Sequence, residues 1–328
     1  MSESGDYNPG PWRGHDFKSA RAAYDVHVGR SYDEARASNK KRDDVLPKSV
    51  KTDSESPLVI ACDVTGSMGD WPATIFSKLP YLDHECKEYL GKGMEISFAA
   101  IGDANCDHYP LQVRPFCSGT AMKKRLEELI IEGGGGGSSE ESYDLAALYY
   151  SRNVDMPNAI KPLFIFIGDE GLYNYVNSDQ SREWSNVEVK NEKRKMTSLD
   201  AIKELQKKFN VYLVRKHYNN SGDSLTGQDK VIHEQWESYL GADHISILPA
   251  ADRVVDVIFG ILAKETGRVD YFNDELKTRQ KPHQVVTVLK ALESIHAKGP
   301  EVPIIGKDKS GKSVMKREKK SEASKALI

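Results

Sequence analysis

Asp63 closes the apolar run VIACD, and Asp169 closes LFIFIGD. A carboxylate at the end of a buried segment costs desolvation energy unless something compensates it. Around Asp63 the sequence reads VIACDVTGSMGD, so Thr65 and Ser67 follow on alternate positions. The same residue types build ordinary turns, because Asp, Thr and Ser bond nearby backbone and glycine relieves strain. A third segment, GGGGGSSEES at 133–142, carries Ser138 and Ser139 behind five glycines whose backbone entropy is expensive to lose. Two carboxylates with several hydroxyls suit a hard divalent cation. Mg2+ ranks ahead of Mn2+ or Ca2+, because it takes few protein carboxylates and keeps water.

The surrounding elements place these residues together. PLVIACDV reads as a strand buried on both faces. WPATIFSKLPYLDHECKEYL reads as a helix that Pro80 must kink or break. GMEISFAAIGD is a second strand, and YPLQVRPF an edge strand because of its prolines. TAMKKRLEELIIEG predicts a helix capped at Thr120 and stopped at Gly133, with Met122, Leu126, Leu129 and Ile130 on one face. SYDLAALYY, KPLFIFIGDEG, TSLDAIKELQKKF, NVYLVRKH, KVIHEQWESYL, HISILP and DRVVDVIFGILAKETG continue the alternation of helix and strand. Such alternation predicts an α/β fold, a doubly wound, mostly parallel sheet with helices on both faces and a Rossmann-like layout. In such sheets ligands bind at the carboxyl ends of the strands, where Asp63 and Asp169 fall. Asp103, at the end of GMEISFAAIGD, falls at that edge too.

The three loops together resemble those of the von Willebrand factor type A (vWA) domain. Asp63, Thr65 and Ser67 fit its Asp-x-Ser/Thr-x-Ser pattern, the glycine-rich loop with Ser138 and Ser139 is similar to its second loop, and FIFIGDEG is similar to its third. The resemblance covers 55–267 in matching order. It implies a metal ion-dependent adhesion site in which Ser67 and either Thr65 or Ser138 bind the cation, and Asp63 and Asp169 act directly or through water. A partner protein's Asp or Glu would complete the coordination, with no bond broken. The family's second loop normally supplies a threonine that this chain lacks, so Ser138 or Ser139 stands in. Ser138 also reads as a helix cap paired with Glu141 in the S-x-x-E pattern. Cytosolic members work in multiprotein assemblies, including as adaptors for AAA+ ATPases, which makes such an assembly the implied partner.

An enzyme is the rival reading. Mg2+-dependent haloacid dehalogenase-type phosphatases also begin with an apolar strand and D-x-D-G-T, which would make Asp63 a nucleophile. Their second aspartate, the general acid, is Thr65 here, and the acid expected four places after Asp169 is Tyr173. Two further motifs read as decoys. GKDKSGKS (306–313) matches the phosphate-binding G-x-x-x-x-G-K-S, yet only 15 residues follow it, too few to build a sheet around it. Cys106, Asp107 and His108 lack a second ligand pair and read as a loop. His233 and Trp236, three apart on a predicted helix, read as packing.

The 26-residue stretch 171–196 mixes Tyr173, Tyr175 and Trp184 with many charges and leaves directly from the Asp169 loop. Long connections of this kind are usually functional or disordered, and aromatic side chains make good anchors at interfaces. Those three residues are therefore candidate partner contacts.

Composition bounds the rest. In a chain of 328 residues the expected organisation is a polar N-terminal extension (1–52), the vWA-like domain (53–267), and a C-terminal extension (268–328) with one short helix and a basic, disordered tail. Residues 17–37 have room for a helix but show no convincing apolar stripe, which predicts a packing arm rather than a domain. The tail from Lys307 holds eight basic residues against three acidic ones, a tether for an acidic surface or a solubilising end. A net charge of −3 predicts no general affinity for nucleic acid or acidic membranes. The N-terminus carries no secretory signal, and no run approaches the roughly 18 apolar residues of a membrane span. Four cysteines without CxxC spacing read as free thiols of a cytoplasmic protein.

Overall fold

The structure, a computed structural model, describes residues 10–27, 38, 40–133, 138–190, 194–218, 225–298, 304–307 and 313–316. Its centre is a six-stranded sheet of β1 (Pro57–Asp63), β2 (Glu95–Ile101), β3 (Leu111–Val113), β4 (Leu163–Gly168), β5 (Asn210–Arg215) and β6 (Ile245–Ile247). The spatial order is β6-β5-β4-β1-β2-β3, parallel throughout except for the antiparallel edge strand β3. The chain winds outward from β1 to β3, then returns to lay β4 on the other side of β1. The order therefore reverses between β1 and β4, the place where open α/β sheets form a ligand crevice.

Period-two alternation divides these apolar strands between two cores. Leu58, Ile60, Cys62, Phe98, Ile165 and Val214 face one side, where α2 (Asp70–Ser77), α3 (Leu79–Leu90) and α9 (Val254–Thr266) pack. Val59, Ala61, Ala99, Phe164, Phe166 and Leu213 face the other, under α5 (Tyr143–Arg152), α7 (Ser198–Gln206) and α8 (Gly227–Leu240). Each of the larger aliphatic and phenylalanine side chains among them stabilises the fold by about 1.5–3 kcal/mol when fully buried. The break expected at Pro80 is present: α2 ends at Ser77, Lys78 links the two helices, and Pro80 lies in the first turn of α3, where its missing N–H costs nothing.

Several expectations need correction. The helix after Thr120, α4, runs only Ala121–Glu127 rather than to Gly133, and Thr120 makes no side-chain cap bond. Gln112 of β3 draws the chain out of the helix, its amide bonding both the N–H and the carbonyl of Ile130. Leu129 then joins the core of Met122 and Leu126, while Ile130 joins the opposite one. The N-terminal extension carries a usable stripe after all: Phe17, Ala20 and Tyr24 of α1 (Phe17–His27) are buried, and α1 packs on α2. Gly267 does not end the domain. The unforeseen α10 (Val269–Arg279) and the expected short helix α11 (Pro282–Ala291) send Phe272, Leu276 and Val288 into the α9 core. Gly260 allows this approach, since a Cβ there would land on Leu292.

The stretch 171–196 is not structureless. Gly171–Leu172 pairs in parallel with Glu140–Glu141, and α6 (Ser178–Trp184) follows, capped by Asn177. In the tail, Ile304–Lys307 and Ser313–Lys316 form an antiparallel pair. The strand after GKDKSGKS removes the helix a phosphate loop requires. The expected disorder does not extend to those two strands, and the rest of the basic tail lies outside the described residues. All four cysteines are free. No helix among the described residues is long and apolar enough to cross a membrane.

Candidate functional site

Asp63 is the last residue of β1 and is fully buried, at 0 % exposure. Its Oδ1 accepts bonds from the Thr65 N–H (2.8 Å) and hydroxyl (2.6 Å), and its Oδ2 from the Tyr143 hydroxyl (3.1 Å). Burial, followed by the charge of Asp169, pushes its pKa well above the ordinary carboxylate range, while the Thr65 bonds pull the other way. Tyr143 reaches Asp63 because residue 168 is glycine: a Cβ there would land on the tyrosine hydroxyl. The glycine of FIFIGDEG is thus required by a close approach.

Asp169, just past β4, belongs to a second arrangement. Ser67 Oγ donates to its Oδ1 at 3.0 Å. Lys216, the first residue after β5, places its ammonium 3.2 Å from Asp169 Oδ2 and 2.9 Å from the Ser67 carbonyl. The expected pairing of the first and third loops is therefore made, and an internal cation stands beside it.

The sequence reading missed two acids. Glu141 and Glu170 bring carboxylate oxygens to Asp63, all three within 4.8 Å of one another. Glu141 is 2 % exposed, and its Oε2 has no hydrogen-bond partner. Burial, then the charges of Asp63 and Glu170, drive the Glu141 pKa far above the ordinary carboxylate range, toward its neutral form. Glu170 is itself raised to about 6, chiefly by burial. Three carboxylates at this separation cannot all be charged without positive compensation. The donor set is hard oxygen throughout, which fits a divalent cation of the Mg2+, Mn2+ or Ca2+ kind. Glu170 was within reach of the sequence, as the second acid of GDEG. Glu141 was hidden by its reading as a helix cap.

That reading of Ser138 is overturned. Helix α5 starts at Tyr143 with Ser142 at the cap position, and Glu140–Glu141 are strand residues. Ser138 Oγ instead donates to the Glu140 carbonyl (3.1 Å) and lies 3.2 Å from the Tyr173 hydroxyl. Tyr173 donates in turn to Asp103 (2.9 Å), which ties the end of β2 to the second and third loops. Ser139 accepts from Gln228 Nε2 (2.7 Å) and stands apart from Asp63 in bonding terms. Gly134–Gly137 lie outside the described residues.

The three aromatic candidates diverge. Tyr173 is engaged within the site, and Tyr175 is 55 % exposed with Lys195 over its ring. Trp184 ends α6, where it is partly buried against the core on the α5 side. Trp236 is buried as expected, and its indole N–H fixes the Glu170 carbonyl (2.8 Å). Gln235 clamps Leu172 through both its N–H and its carbonyl (2.8 Å each). The Cys106–His108 segment is a loop, as expected: Asp107 accepts from the Asp103 N–H, and Glu132 accepts from the N–H groups of His108 and Tyr109.

No family model and no curated protein matches the chain. Among solved structures it is similar to the pilus adhesin SpaC from Lactobacillus rhamnosus GG in its open conformation, with 12 % identity and a TM-score of 0.47. That match covers 69 % of this chain and 31 % of the adhesin, so the chain spans about a third of the adhesin's length. A second structure of the same adhesin gives 11 % identity and a TM-score of 0.46 over 70 % of this chain and 31 % of the other. Proximal thread matrix protein 1 from the mussel byssus gives 11 % identity and a TM-score of 0.36 over 66 % and 46 %.

Proposed function

We propose that the chain is a vWA-type module that binds another protein in a divalent-cation-dependent manner, without catalysis. The observation carrying this reading is the convergence of Asp63, Glu141 and Glu170, with a buried unpartnered oxygen, at the sheet's point of reversal. The cation would be held by these three carboxylates, with Thr65, Ser67 and Asp169 as the neighbouring oxygen donors. When bound, it supplies positive charge to which a partner's Asp or Glu can attach. The expectation of Mg2+ rested on two carboxylates. Four in the vicinity favour Ca2+, which accepts more carboxylate oxygens than Mg2+.

The phosphatase alternative gains no support from the geometry. Thr65 stands where that family's general acid would be, and its hydroxyl instead bonds Asp63. The partner class we favour is an intracellular assembly of the AAA+ ATPase type, and the four free cysteines agree with a cytoplasmic setting.

The test is a thermal melt of wild type and Asp63→Ala with Mg2+, Mn2+ and Ca2+, followed by partner capture with and without EDTA. Stabilisation of wild type alone, with capture lost in EDTA, is the expected result. Capture that survives both EDTA and Asp63→Ala would mean a metal-free scaffold. Turnover of p-nitrophenyl phosphate that depends on Asp63 would restore the enzyme.

A further inference from the structure

We propose that Lys216 is an internal competitor for the cation, occupying the Ser67–Asp169 half of the site until a divalent ion displaces it. The inference rests on the cation reading above and adds a residue that sets the site's affinity. The four carboxylates divide into two groups. Asp63, Glu141 and Glu170 crowd together without a basic side chain bonded to any of them among the described residues. Asp169 alone has an ammonium, and that ammonium also takes the carbonyl of Ser67. Lys216 thus bonds the Asp169 carboxylate and the Ser67 backbone, at two of the residues that the resemblance assigns to the metal site.

Its placement is built in. The Lys216 N–H donates to the Gly168 carbonyl at 3.0 Å, so the stem leaves the end of β5 directly beside Asp169. The side chain is 15 % exposed, which shields the pair from solvent screening. An ammonium and a divalent ion that seek the same carboxylate repel each other, and the repulsion acts over a few ångströms. Even at the dielectric constant of water, a unit and a double charge about 5 Å apart interact strongly enough to change affinity about tenfold. Binding therefore expels the ammonium toward solvent, at the mouth where a partner would dock.

Calorimetric titration of Mn2+ into wild type, Lys216→Met and Lys216→Arg tests this. Lys216→Met should bind at least about tenfold more tightly, with Lys216→Arg near wild type. Unchanged or weaker binding by Lys216→Met, with wild type binding normally, would overturn the competitor role and leave Lys216 as a tether. Binding by none of the three would remove the cation reading itself, and this inference with it. A second measurement needs no substitution. Acetic anhydride labelling of wild type, read by peptide mass, should increase at Lys216 when Mn2+ is added. Labelling that stays the same or falls contradicts displacement.

Discussion

Glu85 and Glu141 are both glutamates at 2 % exposure, and the fold treats them differently. Glu85, on α3, lies 3.1 Å from the guanidinium of Arg279 on α10, itself equally buried, and accepts a long bond from Tyr271. Burial raises the Glu85 pKa, and Arg279 pulls it back down. Glu141 has the carboxylates of Asp63 and Glu170 within 4.8 Å and, among the described residues, no basic side chain bonded to it. A buried charge with a basic partner is part of the scaffold, whereas one crowded by like charges requires a proton or an added cation. Depth alone does not mark a functional carboxylate; the sign of its neighbours does.

The sharpest way to break this comparison is at the scaffold pair. Arg279→Met should cost about 3–5 kcal/mol in urea unfolding, because it strands Glu85, and a divalent cation should add no more stability to this variant than it adds to wild type. A full rescue by Mg2+ or Ca2+ would place a cation need at the wrong end of the molecule.

Next in size is the response of wild type to cation. At a hundredfold excess over Kd, a ligand specific for the native state adds about 2.7 kcal/mol. That gain should vanish in Glu170→Gln and Asp63→Asn but survive Glu85→Gln, as read by thermal melts with and without EDTA.

Glu141→Gln should leave the cation-free protein about as stable as wild type at neutral pH, since a neutral amide replaces a carboxyl that burial and Asp63 already push toward its neutral form. A loss of several kcal/mol would show that Glu141 is structural, like Glu85.

The remaining effect is one of pH. Asp63, Glu141 and Glu170 all have native pKa values above those of the unfolded chain, with Glu170 at about 6. The native state then holds more protons, so stability without cation falls as pH rises from about 4 through 6 and beyond. Excess cation should flatten that fall, because it replaces the protons. Melting temperatures of wild type and Glu170→Gln across pH 4–8 would show this, and identical slopes would refute it.

Much of the sheet could be read in the sequence, because parallel strands buried on both faces are continuous apolar runs. Asp63 and Asp169 were visible for the same reason, as charges terminating such runs. Glu141 and Lys216 were not, since each acquires its meaning from a residue distant in sequence: Asp63 for one, Asp169 for the other. Gly168 was readable only as a turn until Tyr143, twenty-five positions earlier, was found against it. α10 was lost because its buried face is sparse, with Phe272 and Leu276 as its main apolar contributions. α1 shows the same failure: Phe17, Ala20 and Tyr24 form a stripe too thin to stand out in the sequence.

The docking of that first helix also gives the molecule a mechanical layout. Trp12 bonds Asp83 of α3, His15 bonds the Ser77 carbonyl, and Arg21 reaches both Asp70 and Thr74 of α2. Helix α2 begins directly after the DVTGSMG loop. Tension on this segment would reach α3 through Trp12 and α2 through His15 and Arg21, and α2 adjoins the loop bearing Thr65 and Ser67.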